Sequence, residues 1–69
     1  MASVDIDLVV DEQPDPGRYR TIRTVVYGKP DLVDEYVDRW LNRYGYAYFG
    51  RVECRSPGRA VLVRAESAD

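Results

Sequence analysis

The side chains that most often carry chemistry are thinly represented. The 69 residues contain no histidine and a single cysteine, Cys54. That removes imidazole catalysis, zinc sites of the Cys/His kind and any intrachain disulfide. Ser3, Ser56 and Ser67 have no histidine to activate them as nucleophiles. Carboxylates are plentiful, and Asp5-x-Asp7 or the set Asp31, Asp34, Glu35 and Asp38 offers the oxygen ligands that magnesium and calcium take. Neither set has the loop pattern of a dedicated cation site, and carboxylates without a cleft do not make an acid–base pair. Gly45 and Gly50 are too sparse for a phosphate loop, and Ser56-Pro57-Gly58 reads as a turn. Cys54 beside Arg55 has a cation that would activate a thiol, yet the commoner role is a small half-buried hydrophobe. The expectation is a binding protein with no metal and no cofactor, not an enzyme.

Charge is the more informative chemistry. Nine arginines accompany one lysine, Lys29, and arginine suits planar two-point contacts with carboxylates and phosphates. Residues 1–38 hold nine acids and four bases, net −5, whereas residues 39–65 hold six arginines and one acid, net +5. The tail brings the chain to its net charge of −2. The basic half, with Arg39, Arg43, Arg51, Arg55, Arg59 and Arg64, is the candidate nucleic-acid surface; the overall acidity ranks that partner second.

These groups need elements to position them. Val4, Ile6, Leu8 and Val10 alternate with Asp5, Asp7, Val9 and Asp11, which predicts a half-buried strand over about 3–11. Glu12-Gln13-Pro14-Asp15-Pro16-Gly17 breaks it, and a second strand follows over about 18–27. A hairpin with Leu8 opposite Ile22 would set Asp7 against Arg23. After Gly28-Lys29-Pro30, Asp31 is placed as a helix N-cap. Val33, Tyr36, Val37, Trp40, Leu41 and Tyr44 then form the stripe of an amphipathic helix over about 32–44. Gly45 is expected to end it in a left-handed conformation. Strands over about 46–54 and 59–65 complete the chain, with residues 66–69 a frayed tail.

The order β-β-α-β-β is an α+β fold: one helix packed on one face of a four-stranded antiparallel sheet, a single small domain. Strand orders 1-2-4-3 and 2-1-3-4 both keep neighbours antiparallel. Alternation puts Tyr46, Tyr48, Val52, Val61 and Val63 under the helix. Val9, Val25, Phe49 and Leu62 fall on the open face, rimmed by Arg23, Arg51 and Arg64. A short chain gains stability by burying such a face, so these seven residues are the expected contacts with a second copy or a larger protein.

The run Gly45-Tyr46-Ala47-Tyr48-Phe49 resembles the core of the RNA-recognition-motif signature, whose aromatic residues stack on bases. Tyr44 stands where that signature has Lys or Arg, and Arg51 where it has an aromatic. One helix also falls short of that family's two, so the family is not assigned and the rings are read as core. No segment reaches the ~20 apolar residues of a membrane span, and Met1-Ala2-Ser3-Val4-Asp5 lacks the pattern of a signal peptide. With its free Cys54, the chain is expected in the cytoplasm.

Overall fold

The expected elements form in the expected order in the computed structural model, which describes residues 7–67. They are β1 (Leu8–Pro14), β2 (Thr21–Gly28), α1 (Pro30–Tyr44), β3 (Arg51–Ser56) and β4 (Arg59–Ala65). The four strands make one antiparallel sheet in the order β1-β2-β4-β3, the first of the two orders anticipated. The two central strands carry most of the sheet's buried residues, with Thr24 and Val26 on β2 and Ala60 to Val63 on β4.

The helix meets the sheet through Val33, Val37 and Trp40, which pack on Val26, Ala60 and Leu62. Leu8, Tyr36, Leu41, Tyr44 and Val52 extend this core at its margins. Lys29, not Asp31, is the N-cap residue, and it makes no side-chain capping bond. Pro30 starts the helix instead, because its missing N–H is one the first turn leaves unbonded in any case. Asp31 follows in the first turn, where the helix dipole favours an acid.

The helix exit departs from expectation. Gly45 has φ −62° and ψ −35°, so the chain keeps turning right-handedly past the helix end. Gly45 N–H donates to Leu41 O at 2.8 Å and Tyr48 N–H to Tyr44 O at 3.2 Å. Phe49, at φ 54°, takes the left-handed role. The third strand therefore starts at Arg51 and not at 46, and Tyr46 is 95% exposed, outside the core. Tyr48 is half-buried against Tyr44, with ring centroids 5.2 Å apart and edge to face. At Gly50 the chain passes so close to the helix that a Cβ would lie 2.8 Å from the Trp40 ring.

The first hairpin is also shifted. Leu8 pairs with Gly28 instead of Ile22, because β1 runs on through Glu12 and Gln13 to Pro14 and the turn spans residues 15–20. An edge strand tolerates a terminal proline, which gives up one N–H that needs no partner. Asp7 accordingly pairs with Lys29 at 3.0 Å, not with Arg23. Ser3, Val4, Asp5 and Ile6 of the predicted strand, and Ala68 and Asp69 of the predicted tail, lie outside the described residues. Glu66 is tied down, its N–H donating to Arg20 O at 2.8 Å.

Candidate functional site

Strand alternation decides what the uncovered face of the sheet presents. Leu62 and Ala60 belong to the helix-side core, so Val61 and Val63 point to the opposite face, the reverse of the predicted phase. The cause is a bulge between Val52 and Cys54. Arg51 and Val52 keep their predicted faces, but the extra residue pairs Val52 with Leu62 instead of Val63 and so exchanges the faces of β4. Leu62, fully buried at 0% exposure, is thus removed from the set of contact residues. Arg64 goes with it to the helix side. There its guanidinium lies 4.4 Å from the centre of the Tyr44 ring and 5.5 Å from that of Tyr48, and Nη2 donates to Glu12 Oε1 at 3.3 Å. The same Glu12 accepts from the buried Thr24 hydroxyl at 3.3 Å.

The remaining expected residues stay on the uncovered face. Arg23, Val63 and Arg51 form one cross-strand row, and Asp11, Val25, Val61 and Cys54 form the next. A third row holds Val9, Tyr27 and Arg59. No helix or strand among the described residues lies over this face. Even so, Val61 and Val63 are only 3% and 2% exposed. Arg23 and Arg51 flank Val63 in its row, and Arg59 lies two residues along β4 from Val61. All three are exposed side chains long enough for their aliphatic stems to cover the valines while the charged ends reach water. A partner would therefore meet guanidinium groups first and valine methyl groups beneath them.

Two hollows of about 190 Å³ each open on this face. One is lined by Arg18, Thr21, Phe49, Arg51 and Val63, the other by Asp11, Pro14, Pro16, Arg23 and Val25. Each is below the roughly 300–1,000 Å³ usual for a small-molecule pocket, a size that suits a single side chain of a partner. They sit on either side of the Arg23–Val63 pair, so the fold brings Arg23, Val25, Phe49 and Arg51 together at one end. Val9 lies apart, beyond Tyr27.

Arg18 and Val63, which sequence reasoning did not assign to this site, complete it. The 15–20 turn is built by Asp15, whose carboxylate accepts the Gly17 N–H at 2.8 Å and lies 3.9 Å from Arg18. Arg18 then crosses to β3 and binds Glu53 at the bulge. Its hydrogen bond to the Glu53 carboxylate, and next the charge of that group, raise the guanidinium pKa above its already high ordinary value. No spacing rule links Arg18 to Glu53, so only the folded chain reveals the pair.

The basic half does not form one patch. Arg55 binds Asp34 at 2.7 Å, Arg39 binds Glu35, and Arg64 is taken by Glu12. Arg43 stays on the helix near Tyr44, while Arg51 and Arg59 are on the sheet face. Arg23, Arg51 and Arg59 have no ion-pair partner among the described residues. The acidic helix residues Asp34 and Glu35 are spent in these pairs, and the described residues contain no group of three potential metal ligands. No helix among them is long and apolar enough to cross a membrane. Comparison of the chain with family models, with curated proteins and with solved structures finds no match.

Proposed function

We propose that the chain is a small non-enzymatic protein-interaction module, an adaptor, accessory subunit or inhibitor of a larger protein, that docks through the open face of its sheet. The observation that carries this reading is the convergence of Arg23, Val25, Phe49 and Arg51 around Val63, on a face that no other described element covers. Side-chain-sized hollows, apolar floors and a charged rim are the anatomy of a protein contact. Self-association through the same face is the homodimeric form of this reading. The alternative, nucleic-acid binding by the C-terminal hairpin, loses support because Arg39, Arg55 and Arg64 are engaged within the chain.

A photo-crosslinking amino acid at position 25, compared with one at position 38 on the outer side of the helix, tests the proposal in cells that make the protein. A discrete protein adduct formed from position 25 and absent from position 38 is the expected result. Adducts that vanish on nuclease treatment would establish the nucleic-acid alternative. The same products from both positions, or none from position 25, would refute the docking face.

A further inference from the structure

The charge on this face restricts what can occupy it. The Arg23 and Arg51 positions flank Val63 in one row, two strand spacings or about 10 Å apart. Arg59 lies four residues along β4 from Val63, about 13 Å away. Among the described residues none of the three has an ion-pair partner, and the acids on the face are Asp11 and the already engaged Glu53. Four other arginines in the chain have found carboxylates. Leaving these three uncompensated on one side of a chain of net charge −2 is a local arrangement that folding alone does not call for.

Resting on the docking face proposed above, we infer that its occupant is an acidic surface of a different protein, with carboxylates meeting Arg23, Arg51 and Arg59 around an apolar centre that settles on the half-buried Val25, with the buried Val63 beneath. A second copy meeting face to face is a poor complement. A two-fold contact would set six unpaired arginines against two copies of Asp11, and like charges brought together across an interface cost several kcal/mol. Carboxylates fit the same guanidinium groups by paired hydrogen bonds. Phe49, 76% exposed at the rim of the Val63 hollow, adds an apolar edge that a phosphate backbone by itself would not use.

Nitrogen-resolved NMR on the intact chain tests this with defined probes. These are a twelve-residue peptide alternating Glu or Asp with Val or Leu, its Lys/Arg counterpart, and a twelve-nucleotide oligothymidine. The acidic peptide is expected to shift the amide signals of Arg23, Val25, Arg51 and Val63. Its affinity should fall about tenfold or more when salt is raised from about 50 to 300 mM, and about tenfold or more in Arg23→Glu/Arg51→Glu. Both side chains are exposed, so retained amide dispersion shows that the double variant is folded.

Each other outcome is decisive. Concentration-dependent shifts of the same residues in the protein alone, or preference for the basic peptide, would overturn the acidic partner while leaving the docking face intact. Saturation of the face by oligothymidine, or no shift there with any probe, would overturn both.

Discussion

Leu62 and Phe49 were expected to act together, and they do opposite things. Leu62 on β4 is enclosed by the helix and by its β2 and β3 neighbours Thr24 and Val52, so Leu62→Ala removes methyl groups from a sealed site. The loss should be about 2–5 kcal/mol, seen as a fall in the urea midpoint and independent of any partner. Phe49 contributes little packing, and its φ of 54° puts a bulky residue where asparagine is more at ease. Phe49→Asn should therefore stabilise the fold by about 1 kcal/mol in the same titration while weakening the acidic-peptide interaction. An exposed ring held at conformational cost, next to a hollow, is what a contact residue looks like before its partner arrives.

A run of aromatic rings leads from the helix to the loop that follows it. Trp40, Tyr44 and Tyr48 meet in sequence, the first pair tilted with centroids 5.4 Å apart and the second edge to face, and the Arg64 guanidinium lies over the last two rings. Tyr36, one turn earlier, has its phenol held above the ordinary pKa of 10.0, first by burial and then by the charge of Glu12. Above about pH 10 the unfolded chain gives up this proton while the folded chain still holds it. The folded state then binds more protons, so stability is full below that pH and declines as pH rises through the window. Tyr36→Phe should lessen that alkaline decline, measured as the difference in urea midpoint between neutral and strongly alkaline solution.

At the scale of the whole molecule, the basic half folds back on the acidic half. Arg55–Asp34, Arg64–Glu12 and Glu53–Arg18 all cross between the two. Most of these side chains remain partly in water, where an ion pair is worth about 0–1 kcal/mol. The melting temperature should accordingly move by less than roughly 5 °C between low and high salt. Docking of an acidic partner should be strongly salt-dependent over the same range, because Arg23, Arg51 and Arg59, which have no ion pair among the described residues, would supply both its attraction and its orientation. The two measurements separate what holds the chain together from what it offers to others.

Periodicity in the chain was enough for the element order, the helix with its buried stripe and the α+β class, because these depend on local alternation and on 3.6-residue spacing. It also put Arg23, Val25, Val9 and Arg51 on the face where they lie, since β1, β2 and the start of β3 follow their phase without interruption. Its reach ended at the bulge in β3. A right-handed continuation at Gly45 and a left-handed Phe49 delayed β3 to Arg51, and one bulge after Val52 reversed the facing of β4, sending Leu62 and Arg64 inward and Val61 and Val63 outward. Strand alternation has a period of two, so any odd displacement exchanges the faces completely. The Arg18–Glu53 link and the lack of an ion pair for Arg23, Arg51 and Arg59 among the described residues likewise belong to the tertiary structure. Which charges meet depends on strand order and register, and those are chosen by the packing of the entire sheet, not by any segment alone.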